Sequence, residues 1–121
     1  MKKELSIILP VFNEKDSLPI MVRLLNTTIK FPKEIIIVYD DVKDNSVEIA
    51  KELASESSFI KVIHNQLGRG AKYAVETGVK NSKYDNILIT AVDEIFPIIS
   101  VEKMLETLIK NDLDLVSGTR Y

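Results

Sequence analysis

The sequence predicts an α/β domain built on a mainly parallel sheet with helices on both faces, a Rossmann-like arrangement. Two observations carry this. Five short runs rich in Ile and Val alternate with helical segments, and three of those runs lead into polar or acidic residues. Strict alternation demands crossover connections, and crossovers imply parallel neighbours, because a tight hairpin joins only antiparallel strands. In such sheets ligands bind outside the carboxyl ends of the strands, near a switch in strand order. The polar run ends are therefore where a site is expected.

The first strand is expected at Leu5 to Leu9, where an apolar run breaks abruptly into Pro10-Val11-Phe12-Asn13-Glu14. No glycine-rich turn follows it, so a dinucleotide-binding loop is not indicated. The first helix places Leu18, Met21, Val22, Leu25 and Ile29 on one face, with Asp16 or Ser17 as its cap and Pro19 tolerated in its first turn. The second strand is Ile35 to Tyr39. The second helix follows from about Asn45 to Ala54, with Val47, Ile49, Ala50 and Leu53 apolar and Asn45 and Glu48 spaced as a capping box. A third strand at Phe59 to Ile63 leads to a third helix over about Gly70 to Asn81, whose inner side reads as Ala71, Ala74, Val75 and Val79. The fourth strand is Ile87 to Ala91. After Ser100, Val101, Met104, Leu105, Leu108 and Ile109 follow helical spacing, and Leu113 to Ser117 reads as a fifth strand.

Composition narrows the function. With 121 residues, 45% of them hydrophobic, the chain has material for one domain over residues 1–121 and one core. Sixteen basic and eighteen acidic residues give a net charge of −2, with no basic stripe to track a phosphodiester backbone, so nucleic acid is not an expected partner. The absence of cysteine fits a reducing compartment, and a cytoplasmic location is the expectation. Pro10, Asn13 and Glu14 cut the N-terminal apolar run far short of a signal-peptide core or of the ~20 residues of a membrane span. There is no Ser-His-Asp set, zinc pattern or P-loop, which removes hydrolases and P-loop enzymes.

What remains is acid at the strand ends. Asp40, Asp41 and Asp44 follow the second strand, and Asp93 with Glu94 follows the fourth; hard carboxylate oxygens suit Mg²⁺ or Mn²⁺ and the diphosphate such ions bridge. Asp44 beside Asn45 reads first as a turn former or helix cap. Glu94 lies between apolar residues, where a carboxylate needs a cation or a donor. Gly68-Arg69-Gly70 opens the third helix, whose N–H groups and dipole favour an anion, and the Arg69 fork fits phosphate. His64 has no acid, serine or cysteine at a telling spacing and is given no role.

Taken in order, these motifs resemble the nucleotide-sugar-binding half of inverting GT-A glycosyltransferases of family 2, most closely the dolichyl- and polyprenyl-phosphate sugar synthases. Pro10-Val11-Phe12-Asn13-Glu14 is similar to the family's Pro-x-(Tyr/Phe)-Asn-Glu, a loop that helps hold the nucleotide. Val38 to Ser46 lies without gaps over Val-Asp-Asp-Gly-Ser-x-Asp-Gly-Thr, putting Asp40 in the place of an acid that contacts base or ribose. Asn65 to Ala71 resembles the Asn-x-x-Gly segment, with Arg69 facing the diphosphate or base. The metal motif Asp-x-Asp falls on Ala91-Val92-Asp93, and the closing Gly-Ser-Arg-Tyr on Gly118-Thr119-Arg120-Tyr121.

The resemblance implies a donor site of Pro10, Phe12, Asn13, Glu14, Asp40, Arg69, Asp93 and Arg120, with Mg²⁺ or Mn²⁺ at Asp93 and Glu94. It implies transfer of a sugar from a nucleotide-diphosphate sugar to a lipid-phosphate or glycan acceptor. Two departures stand out: Ala91 replaces the first metal-motif acid, and the chain stops at Tyr121, where the family continues into the half that binds the acceptor and supplies the base. The implied fold is thus incomplete at its C-terminus, the catalytic base is unassigned, and membrane association belongs to a full-length protein. An open sheet edge or apolar face would then drive self-association into a homo-oligomer. The alternative is a noncatalytic nucleotide-binding or assembly module on the same fold.

Overall fold

A computed structural model describes residues 3–90 and Val92. Four strands form one sheet: β1 (Leu5–Pro10), β2 (Lys33–Tyr39), β3 (Ile60–His64) and β4 (Ile87–Ile89). Three helices connect them: α1 (Ser17–Thr28), α2 (Ser46–Glu56) and α3 (Ala71–Lys80). The sheet order is β3-β2-β1-β4, and every pairing is parallel. The chain therefore steps outward from β1 to β3 and then returns across β1 to β4, so strand order switches at β1. The predicted α/β class and parallel sheet are found.

Strand periodicity assigns the two faces. Leu5, Ile7, Leu9, Ile35, Ile37 and Tyr39 join Leu18, Met21, Val22 and Leu25 of α1 and Val47 and Ala50 of α2 in the larger core. The alternate positions Ile8, Ile36 and Val38 form a smaller core with Ala74 of α3. Because β1 and β2 are covered on both sides, they read as continuous apolar runs rather than alternating ones.

Three local expectations need correction. The inner side of α3 is Ala74, Thr77 and Gly78, whereas Ala71 and Val79 are exposed. A Cβ built on Gly78 would lie 2.6 Å from Ile8 Cγ2, so this helix rests on β1 through the lack of a side chain. The first two helices lack the side-chain caps expected: Asp16 and Asn45 stand at the N-cap positions, but neither caps its helix by a side-chain hydrogen bond. The Asn45 oxygen instead accepts Lys15 N–H at 3.1 Å, a bond to another loop. Finally, β3 begins and ends one residue later than predicted, at Ile60 and His64. The expected fourth helix and fifth strand lie outside the described residues, as do Ala91 and the sequence from Asp93 to Tyr121.

At the amino edge of the sheet a polar network closes the space beneath α3. Glu34 is 3% exposed. Its Oε2 accepts the Ser6 hydroxyl at 2.5 Å and the Lys83 N–H, and its Oε1 faces the Lys61 ammonium at 2.8 Å. Ser6 Oγ in turn accepts Tyr84 N–H at 3.0 Å, and Lys61 also donates to the Asn81 carbonyl at 3.0 Å. Burial alone would push the Glu34 carboxyl up, but Lys61, Ser6 and the Lys83 N–H together hold it below its ordinary value.

Candidate functional site

The carboxyl edge of the sheet is organised by loops that are tied to one another. After β1 the chain turns at Asn13, which takes the left-handed conformation with φ 51°, a region asparagine tolerates better than most residues. The turn is held by the β2–α2 loop. Asp44 Oδ1 accepts Asn13 N–H at 2.9 Å and Ser46 N–H at 2.7 Å, Ser46 Oγ accepts Glu14 N–H at 2.6 Å, and Asn13 Oδ1 accepts Asn45 N–H at 3.1 Å. Asp44 thus does the capping work at Ser46 and ties in the neighbouring loop as well. That matches the turn-and-cap reading of Asp44 and explains its residue type.

Asp40 is the first residue beyond β2. Its Oδ1 accepts the Asn65 side-chain N–H at 2.7 Å, and its Oδ2 accepts the Gly70 backbone N–H at 3.1 Å. A negative charge therefore already sits against the N-terminus of α3, where N–H groups and the helix dipole favour it. Gly70 has φ 109°, a conformation only glycine adopts without strain, and this delivers its N–H to Asp40. Where the sequence reading expected a ligand anion, the protein's own carboxylate takes the Gly70 N–H at this helix start. His64 is structural, as its lack of partners in sequence suggested: it stacks on Tyr39 with ring centroids 4.9 Å apart, and Nε2 lies 2.9 Å from the Asp40 carbonyl oxygen.

Between these loops lies a cleft of about 490 Å³ lined by Phe12, Asn13, Asp40, Asp41, Lys43, Asp44, Arg69 and Gly70. A second cleft of about 230 Å³ adjoins it, lined by Pro10, Val11, Phe12, Glu14, Asp40, Gly70, Ala71 and Ala74. Phe12, Asp40 and Gly70 face both. Phe12 is 77% exposed, an apolar side chain left largely open to solvent. Arg69 extends into solvent and reaches Asp41 Oδ2 only at 3.9 Å, so its guanidinium is available to an incoming anion.

Six of the residues predicted for the site, Pro10, Phe12, Asn13, Glu14, Asp40 and Arg69, are therefore gathered at one edge. Asp93, Glu94 and Arg120 lie outside the described residues. The described acids do not by themselves make a cation cage: each Asp40 oxygen already accepts one internal donor, and Asp44 Oδ1 receives two N–H groups. Among the described residues no group of three or more His, Cys, Asp or Glu gathers as a metal site. Likewise no described helix is long and apolar enough to cross a membrane.

Sequence reasoning gave Asn65 no role of its own. It is buried, and its amide is fully used: Nδ2 donates to Asp40 Oδ1 and to the Gly68 carbonyl at 2.6 Å, while Oδ1 accepts Leu67 N–H and the Thr77 hydroxyl, each at 3.0 Å. The clue in the sequence was an asparagine directly after an apolar strand and before a glycine-bearing loop.

Comparison with known proteins points the same way. The chain is 33% identical over 119 residues to a dolichol-phosphate mannosyltransferase of Pyrococcus furiosus, covering 98% of this chain and 33% of that protein. It is 32% identical over 129 aligned residues to a dolichyl-phosphate beta-glucosyltransferase of Dictyostelium discoideum, covering 96% of this chain and 39% of the relative. It thus spans about a third of the length of the curated relatives it matches. Among solved structures, S. aureus TarS 1-349 in complex with UDP-GlcNAc superposes with a TM-score of 0.66 at 18% identity, over 90% of this chain and 32% of that one. This likeness shows a shared GT-A fold. Residues 6–121 match the family described as Glycosyl transferase family 2, and the chain belongs to that family.

Proposed function

We propose that this chain carries the nucleotide-sugar-binding segment of a glycosyltransferase that moves a sugar from a nucleoside diphosphate to a lipid-phosphate or glycan acceptor. The observation that carries the reading is the pair of adjoining clefts sharing Phe12, Asp40 and Gly70 at the carboxyl edge, in a member of glycosyl transferase family 2. The dolichol-phosphate relatives support the acceptor class, and the TarS complex with UDP-GlcNAc supports the donor class. The acceptor site and the catalytic base are assigned to the part of the relatives' length that this chain does not span.

The roles follow from charge and shape. Asp40 already places a negative charge at the start of α3, which repels a phosphate and accepts N–H or O–H donors of a nucleoside. The nucleoside is therefore assigned to Asp40 and the Pro10, Phe12, Asn13 and Glu14 loop, with the Phe12 ring as an apolar surface for the base. The diphosphate is assigned to the Arg69 side, with Arg120 adding positive charge. In the transfer, an acceptor oxygen bonds to the anomeric carbon as the bond from that carbon to the diphosphate breaks. The leaving diphosphate keeps the electron pair, and cationic groups stabilise it. Asp93 with Glu94 is assigned to Mg²⁺ or Mn²⁺, whose contribution when bound is to neutralise that diphosphate.

Calorimetric titration of the chain with UDP, GDP and their sugar conjugates, with and without Mn²⁺, tests this. Saturable binding of one nucleotide is expected, weakened about tenfold by Asp40→Ala through the loss of a charge-assisted hydrogen bond. Mn²⁺ should strengthen binding in the parent chain and have no effect in Asp93→Ala. A folded chain that binds none of these compounds would overturn the donor-site reading and favour the noncatalytic module.

A further inference from the structure

We infer that Asn65 is a positioning residue for nucleotide binding, acting through Asp40. The inference rests on the donor-site reading above, and it assigns a role to a residue that touches neither cleft. Asn65 follows β3 directly, and its N–H is fixed to the Tyr39 carbonyl at 2.8 Å. From there one side chain reaches three separate parts of the rim. It donates to Asp40 beyond β2, donates to Gly68 and accepts from Leu67 within its own loop, and accepts from Thr77 on α3.

The geometry explains why an amide is needed. A side chain here must donate twice and accept twice while buried, and only Asn or Gln offers that combination without charge. Aspartate would keep the acceptors for Leu67 and Thr77 but would set a second carboxylate against Asp40 and the Gly68 carbonyl. Leucine would fill the space and leave the hydroxyl, the N–H and the carbonyl without partners. With asparagine present, the Asp40 carboxylate is gripped on one oxygen by Asn65 and on the other by Gly70, so its plane is set before any ligand arrives. The same bonds fix the loop from which Arg69 projects.

The test is a double-mutant cycle on the whole chain, using Asp40→Ala, Asn65→Asp and the double variant. It is read by UDP and GDP titration and by the ¹⁵N–¹H shift of the Gly70 amide, with circular dichroism reporting folding of each variant. Asn65→Asp alone should weaken binding about tenfold, the size of a lost charge-assisted hydrogen bond. In the Asp40→Ala background the same change should cost clearly less, because only the Gly68 bond that steadies the Arg69 loop is then left to lose. Equal losses in both backgrounds would overturn the inference and make Asn65 a loop residue only.

The Gly70 amide reads the same cycle without nucleotide. Asn65→Asp should move it further when Asp40 is present than when Asp40 is alanine; equal movement in both backgrounds overturns the inference. If neither UDP nor GDP binds the folded parent chain, the donor-site reading fails, while the amide cycle still decides whether Asn65 orients Asp40. If Asn65→Asp does not fold, Asn65→Ser, which is smaller and uncharged, takes its place in both cycles.

Discussion

The two ends of β2 each carry a carboxylate, and they do opposite things. Glu34, near the amino end, is buried under α3 and the segment that follows it, with Lys61, Ser6 and Lys83 closing around it. Asp40, just past the carboxyl end, has as many internal donors per oxygen as it needs for orientation, yet it borders two clefts. Internal hydrogen bonds therefore do not separate an acid enclosed by protein from one that faces a cleft. What separates them is whether the remaining lone pairs meet protein or open space.

The largest expected effect tests the closed end. Glu34→Ala should lower unfolding free energy by about 3 kcal/mol, since it leaves the Ser6, Lys61 and Lys83 donors without their shared acceptor, the half-exposed Lys61 being the least affected. Urea denaturation measures this. Nucleotide affinity of the folded fraction should not change, and if it did the two edges would not be independent. Next comes the floor between them: Gly78→Ala should cost about 1–3 kcal/mol by forcing a methyl onto Ile8. The loss should shrink when Ile8 is also truncated to alanine, which a thermal-denaturation cycle reads.

A smaller effect concerns acid. The Glu34 carboxyl is held below its ordinary value of 4.5, so the stability it contributes is complete above that value. This contribution is lost as pH falls through the lower folded value. Stability measured from neutral pH downward should fall less steeply in Glu34→Gln than in the parent chain. An unchanged acid limb would mean that Glu34 is not the group responsible. The smallest effect belongs to the open end: Arg69→Ala should leave the melting temperature unchanged, because the contact with Asp41 is long and solvated. A loss of nucleotide affinity with no loss of stability would sharpen the contrast between the edges.

Much of this was readable from the sequence, for physical reasons. Strands covered on both faces show as runs such as Ile35 to Val38, and α1 declares itself through Leu18, Met21, Val22 and Leu25 at helical spacing. The gathering of Pro10, Phe12, Asn13, Glu14 and Asp40 at one edge was readable because the topology fixes where strand ends go. The inner face of α3 was not, since it is built from Thr77 and Gly78 rather than from its exposed valine, and hydropathy cannot register a helix that approaches by omission. Long-range polar bonds were also hidden. Asn45 looks like a helix cap in local sequence, but its oxygen is taken by Lys15, 30 residues away along the chain. The bonds of Asn65 were hidden because its side-chain partners come from beyond β2, its own loop and α3.

The interlocked turns after β1 and β2 have a consequence for energetics. Asn13, Glu14 and Lys15 belong to no helix or strand, yet each donates its backbone N–H to a side chain of the β2–α2 connection or the first residue of α2. Their amides should exchange with solvent slowly, as those of a helix do, and they should open together with residues 44–46 as one cooperative unit. The conformational entropy of this rim is then lost when the chain folds, and a ligand arriving there meets a surface that no longer has to be ordered.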